Sequence, residues 1–159
     1  MTSVTHANDV EFTSAAAARM LRDGEACFVG IGTPSIAALT AKHGHAPNLT
    51  LIYESGAYGT VPPHRPLSTG RPSVARGASC LGDCSLVFGD LQAGRIGVAI
   101  LSAAQVDRFG NLTRTVIGPD RSPKGRLVGS GGAHDIASLV GRTLIVMPHD
   151  PRRFVERVD

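Results

Sequence analysis

Two short stretches carry residues equipped for chemistry. Glu54 follows the apolar run Thr50-Leu-Ile-Tyr53 and precedes Ser55-Gly56. A β-branched and aromatic run of that length reads as a buried strand, and Ser-Gly after it reads as a turn. In an open α/β sheet, ligands gather beyond the carboxyl ends of the strands. A carboxylate placed there, beside a glycine that leaves room for a ligand, is suited to act as a nucleophile or a base. Acids at strand ends are more often solvated surface groups, so Glu54 needs a second feature to single it out. Gly129-Ser130-Gly131-Gly132 supplies one. Glycines at the start of a helix leave main-chain N–H groups unpaired at the positive end of the helix dipole. Such a turn can hold a phosphate or an oxyanion, although an ordinary glycine-rich helix start has the same appearance.

Other constellations are weaker. Gly30-Ile-Gly32-Thr-Pro-Ser35 lies between a strand and a helix, and Glu54 falls where an acid would meet a ribose. This is part of a dinucleotide fingerprint, and a non-catalytic dinucleotide-binding module using Gly30, Gly32 and Glu54 is an alternative of a different class. Its third glycine is replaced by Ser35, and no second mononucleotide half follows. Gln105 and Asp107 stand just past an apolar run. Asp107 and Asn111 suit turn chemistry, while Gln105 fits either the turn or a ligand. A Ser-His-Asp triad is poorly supported: Ser55 lacks a Gly-x-Ser-x-Gly setting, and His64, His134 and His149 are scattered. Cys80 and Cys84, four apart, would share a helix face, but zinc requires more ligands than two. No metal site is expected.

The elements that must position these groups read as an alternating α/β chain. A helix over residues 15–22, capped by Thr13 or Ser14 and closed by Gly24, leads to a strand over 26–30. Thr33 as N-cap and Pro34 at the first helical position begin a helix over 35–42, and the strand ending at Glu54 follows. This is a right-handed βαβ unit. Residues 56–77, rich in Pro, Gly and Arg, read as a long loop. A helix over 83–92 and a doubly buried strand over 96–101 come next. A turn at Gly110-Asn111 leads into a strand over 112–117, and a basic loop over 118–128 into the glycine turn. A helix over 133–140 and a strand over 142–147 complete the pattern. Residues 152–159 alternate like a strand that has no partner in view.

The 159 residues are expected to form one domain spanning the whole chain, 1–159. The tail stops without a closing element, so the chain is expected to be truncated or to depend on another polypeptide. Sixteen basic against thirteen acidic residues give a net charge of +3, too mild to argue for nucleic acid. The basic residues do cluster, with Arg65, Arg71 and Arg76 in one group and Arg121, Lys124 and Arg126 in another. Such groups usually form a solvated face and sometimes meet a phosphorylated ligand. Three cysteines argue against a disulfide framework. The amino terminus is polar and no apolar run is long enough for a bilayer, so a cytoplasmic location is expected.

Three motifs occur in a telling order: Tyr53-Glu54-Ser55-Gly56, then Ala104-Gln-Val-Asp-Arg-Phe-Gly-Asn111, then Gly129-Ser-Gly-Gly-Ala-His-Asp-Ile136. Together they resemble family I CoA-transferases, and most of all the B-type polypeptide of the glutaconate enzymes. The resemblance runs from about Ala26 to the end. It implies an open, mainly parallel sheet flanked by helices, of the CoA-transferase (NagB/RpiA-like) type. It implies an A-type partner subunit of similar fold in a hetero-oligomer, with coenzyme A as a substrate and no bound cofactor. Glu54 matches the family's catalytic glutamate, which forms a covalent thioester with CoA. Gly131 and Gly132 match the glycine pair beside the reacting carbonyl, with Ser130 and Gln105 on the oxyanion and CoA side. Ser55, Gly56 and Gly32 fall in the substrate loops. The implied reaction moves CoA between an acyl-CoA and a carboxylic acid, glutaconate-like or a 3-oxoacid. Hydrolases and ring-opening enzymes share this fold and generally lack the glutamate, so Glu54 favours transfer. The family's B-type polypeptides are usually longer than this chain.

Overall fold

The structure, a computed structural model, describes residues 9–159. Four strands run parallel: β1 (Ala26–Val29), β2 (Thr50–Tyr53), β5 (Val98–Leu101) and β10 (Arg142–Ile145). Two short antiparallel strands, β3 (Ala57–Tyr58) and β4 (Cys80–Leu81), extend the β2 edge, and the sheet order is β10-β5-β1-β2-β3-β4. The expected α/β class, with a mainly parallel sheet, is therefore observed.

Helices cover both faces because the strands alternate. Cys27, Val29, Leu51, Tyr53, Val98 and Ile100 point to one face. There they pack on alanines of α1 (Asp9–Ala18) and α2 (Thr33–His43), whose small side chains let the helices lie close. Phe28, Ile52, Ala99 and Leu101 point the other way, onto Val87 and Leu91 of α4 (Cys84–Gln92) and Ile136 of α5 (Ala133–Leu139). Apolar residues on both faces are what a buried parallel sheet requires. Burying one such aliphatic side chain contributes roughly 1.5–3 kcal/mol.

Several local expectations are corrected. The first helix begins by Asp9 and ends at Ala18, instead of spanning 15–22. Thr13 is no cap: its hydroxyl donates to the Asp9 carbonyl 2.5 Å away inside the helix, and Ser14 is buried. The N-cap of α2 is Gly32, at φ +93°, and Thr33 is already helical. The long loop after Gly56 is broken by β3, by the short α3 (Pro72–Ala75) and by β4. Cys80 thus lies in a strand and shares no helix face with Cys84.

The run expected as one strand over 112–117 is two, because it bends from one hairpin into another. β6 (Gln105–Val106) pairs with β7 (Leu112–Thr113), and β8 (Val116–Ile117) with β9 (Gly125–Arg126), inside the supposed basic loop. The tail finds its partner at β6, where Val106 N–H donates to Arg153 O at 2.7 Å and Val155 N–H to Val106 O at 3.0 Å. No helix among the described residues is long and apolar enough to cross a membrane.

Candidate active site

The chain reverses its direction of travel across the sheet at β1. β2 is laid down on one side of β1, and β5 then β10 on the other. A crevice opens at such a switch point, at the carboxyl ends of the strands. Here it is a cleft of about 350 Å³ between the ends of β1 and β5, lined by Gly30, Ser102, Glu54, Arg114, Gly131 and Gly132 among others.

Glu54 enters this cleft for a reason set by β2. Tyr53 is committed to the α1/α2 face, so the next side chain turns toward α4 and α5. The chain then folds back at once, Gly56 N–H donating to Tyr53 O at 2.9 Å. Gly56 sits at φ +99°, and a Cβ there would strike the carbonyl of Gly82 and stand 2.7 Å from the Asp83 nitrogen. Its missing side chain makes room for that backbone, which is bonded to it through Gly82 N–H and Gly56 O at 2.9 Å. Asp83 in turn caps α4, accepting from Leu86 N–H at 2.9 Å.

The opposite wall is the glycine turn. Gly129 and Gly131 have φ of +93° and +52°, and Gly132 is the N-cap of α5. A Cβ on Gly132 would meet the Phe88 ring and would lie 2.7 Å from Glu54 Oε1. The carboxylate and the turn are therefore in contact. Among the described residues, the Glu54 carboxylate and the Gly131 and Gly132 amides have no hydrogen-bond partner. The turn is tied to the rest of the site by Gly129 N–H, which donates to Arg114 O at 3.2 Å.

Glu54, Ser130, Gly131 and Gly132 thus share one cleft, and the other candidates stand apart from its lining. Ser55 is exposed on the turn. Gly32 starts α2 next to the cleft-lining Gly30 and Ile31. Gln105 is buried beside the tail, donating to Asp159 Oδ2 at 2.8 Å and accepting from Asp159 N–H at 3.1 Å. Asp107 does the turn chemistry expected of it. Its Oδ1 accepts from the N–H groups of Phe109 and Asn111, and its Oδ2 from the Asn111 side chain. Its carboxyl lies below the ordinary value: desolvation pushes it up, and the bonds from Asn111, Phe109 and Val158 together outweigh that push. At the third-glycine position of the dinucleotide fingerprint, the Ser35 hydroxyl bonds back to Gly30 O at 2.7 Å. Among the described residues no group of His, Cys, Asp and Glu could hold a metal ion.

Two residues escaped the sequence reading: Phe88, which packs on Gly132, and Arg114, which lines the cleft. Phe88 was hidden as one more apolar helix residue. Arg114 left a signal, a cation amid the strand-like Leu112-Thr-Arg-Thr-Val116.

Comparison with known proteins agrees with this fold. The family model for coenzyme A transferase matches residues 10–159. The chain is 46% identical, over 149 residues, to the B-type polypeptide of 3-oxoadipate CoA-transferase from Pseudomonas knackmussii, covering 93% of this chain and 57% of that protein. It is 33% identical to the B-type polypeptide of glutaconate CoA-transferase from Acidaminococcus fermentans, covering 100% of this chain and 61% of that one. The crystal structure of glutaconate CoA-transferase from that organism superposes with a TM-score of 0.89 at 33% identity, over 98% of this chain and 61% of the other. The decarboxylase AibA/AibB gives a TM-score of 0.79 at 26% identity, over 91% of this chain and 61% of the other. The chain spans about 60% of the length of these two curated relatives. A match over nearly every residue, on the same fold, shows that the chain belongs to the coenzyme A transferase family, among its B-type polypeptides.

Proposed function

We propose that this chain is the B-type component of a CoA-transferase in which Glu54 carries the acyl exchange, working with an A-type partner subunit. The single observation that supports this most is the contact between the Glu54 carboxylate and the Gly132 turn in a cleft at the sheet's switch point. The Glu54 carboxylate attacks the acyl carbon of an acyl-CoA. The C–S bond breaks, giving a mixed acyl–glutamyl anhydride and CoA thiolate. The thiolate then attacks the glutamyl carbonyl, forming glutamyl-CoA and releasing the donor acid. An acceptor carboxylate reverses both steps. One difficult exchange is divided into easier ones, with ping-pong kinetics.

A carboxylate nucleophile suits this work because it is chemically equivalent to the acids it exchanges with, so each step is nearly balanced in energy. Tetrahedral intermediates need donors aimed at a developing oxyanion, and the Gly131 and Gly132 amides, without a partner among the described residues, line the same cleft as Glu54. Losing one such donor costs about 10²–10³ in rate. CoA itself is a substrate, and binding energy from its remote parts is used at the reacting carbonyl.

The test is covalent trapping. The chain, with its partner subunit, is incubated with acyl-CoA and reduced with borohydride, and the modified residue is mapped. Label on Glu54 is expected. Label on the partner, or on no residue, would remove Glu54 from the chemistry. Acyl-CoA consumption without any acceptor acid would mark a hydrolase.

A further inference from the structure

Glu54 and the glycine turn belong to segments that no hydrogen bond joins directly among the described residues. Packing must therefore fix the carboxylate against the main chain at 131–132. The Phe88 ring reaches the place where the two meet. A Cβ on Gly132 would lie 3.1 Å from Cε1 of that ring and 2.7 Å from Glu54 Oε1, so ring edge and carboxylate converge on one glycine.

The helix that carries the ring is anchored at both ends of this contact. Its entry is tied to the turn of Glu54: Gly82 N–H donates to Gly56 O at 2.9 Å, and Asp83 beside it caps α4. Shortly after that cap, Phe88 meets the N-cap of α5. A closed circuit of contacts thus runs from Glu54 through Gly56, Gly82 and α4 to Phe88 and Gly132. A residue that merely fills the core would point at the sheet. Val87 and Leu91 of the same helix do so and are fully buried, whereas Phe88 is half-buried and turned toward Gly132.

Phenylalanine suits this place for two reasons. The edge of an aromatic ring carries the positive part of its quadrupole, which favours a neighbouring carboxylate. The ring also donates no hydrogen bond. A carboxylate aimed by donors must release them in order to attack, whereas one aimed by packing keeps its lone pairs for the acyl carbon. We propose that Phe88 is a positioning residue for the acyl exchange, its ring fixing the Glu54 carboxylate against the Gly132 turn. This rests on the Glu54 reading above and adds to it the side chain that sets the geometry.

The experiment compares two substitutions in α4, with the partner subunit present and the acyl-CoA and acceptor acid that the wild type turns over. Phe88→Leu keeps an apolar side chain and removes the ring edge. Its kcat is expected to fall about 10- to 100-fold, approaching the cost of a 1 Å misplacement. KM for both substrates stays within about threefold, as expected when only transition-state geometry is lost. Single-turnover borohydride labelling of Glu54 slows by the same factor as kcat. Phe88→Ala falls further, and Phe88→Leu carries the test if that variant fails to fold. Val87→Ala is the control: it leaves a cavity in the core and lowers the unfolding midpoint, yet keeps kcat within about threefold of wild type. A kcat loss in Val87→Ala equal to that in Phe88→Leu would show that helix stability alone matters, and overturns the assignment. So does a raised KM with kcat intact in Phe88→Leu. Wild-type label on Glu54, with kcat and labelling rate unchanged in Phe88→Leu, overturns the Phe88 assignment alone. Absence of label from Glu54 in the wild type overturns the Glu54 reading, and the Phe88 assignment with it.

Discussion

Gly132 and Glu54 are packed so closely that a Cβ on the glycine would lie 2.7 Å from the glutamate Oε1. The same Cβ would also strike the Phe88 ring, so both side chains must shift to admit it. In Gly132→Ala the carboxylate is displaced, and displacement of about 1 Å costs on the order of 100-fold in rate. Overpacking costs a further 1–3 kcal/mol or so of stability. Gly131→Ala provides the contrast: its φ is +52°, but its Cβ meets nothing within 4 Å. It is expected to lose about 1–2 kcal/mol through backbone strain and to lower turnover by less than about tenfold. Steady-state kinetics with urea unfolding of both variants checks the pair.

Glu54→Gln keeps the shape of the side chain and removes the nucleophile. Turnover is expected to fall by about 10⁴ or more, with borohydride label lost and the unfolding midpoint nearly unchanged, since the carboxylate has no protein partner among the described residues. Glu54→Asp is expected to fail almost as badly, because the carboxylate retreats by one methylene. An aspartate variant that retains more than about a tenth of wild-type turnover would contradict this geometry.

Gly56 tests the turn that aims Glu54. A Cβ there collides with the Gly82 backbone, which cannot rotate out of the way as a side chain can, and φ is +99°. Gly56→Ala is expected to destabilise by about 3 kcal/mol, at the upper end for overpacking. Gly24→Ala, at φ +79° with open space around it, costs only about 1–2 kcal/mol. Denaturant midpoints for the two variants separate collision from strain.

Alkaline pH provides a test of the core beneath β2. Burial pushes the Tyr53 phenol from 10.0 up to about 12, and it likewise pushes the Cys27 thiol from 9.0 up to about 12. Both groups hold their protons more tightly folded than unfolded. Their stabilising effect is whole below pH 9 and is lost as pH rises through 9 to 12. The Tyr53 hydroxyl is buried with no partner at hydrogen-bond distance. Tyr53→Phe is therefore expected to stay within about 1 kcal/mol of wild type at pH 7 and to lose less stability by pH 11. Urea midpoints measured from pH 7 to 11 decide this.

Much of the scaffold could be read directly from residue order. The runs at 26–29, 50–53 and 98–101 are apolar on both faces, which only a buried parallel sheet accommodates. Glu54 closes one of these runs and the glycines at 129–132 open a helix, so both ends of the candidate site were visible as local patterns. The three motifs, taken together, also pointed to the family. Local pattern failed where an element is only two residues long. β3, β4, β8 and β9 have no periodicity of their own and exist because a neighbouring strand offers hydrogen bonds. The tail over 152–159 gained its partner in the same way, at Val106.

Juxtaposition was beyond residue order altogether. That Gly56 is required by Gly82, that Phe88 and Glu54 press on one glycine, and that Arg114 lines the cleft of Glu54 all follow from the sheet order β10-β5-β1-β2 and its switch at β1. Periodicity along a chain reports which face each side chain takes, because neighbouring Cβ atoms obey fixed geometry. It carries no record of which distant segment will cover that face. Packing of whole strands and helices makes that choice, and the candidate chemistry of Glu54 depends on it.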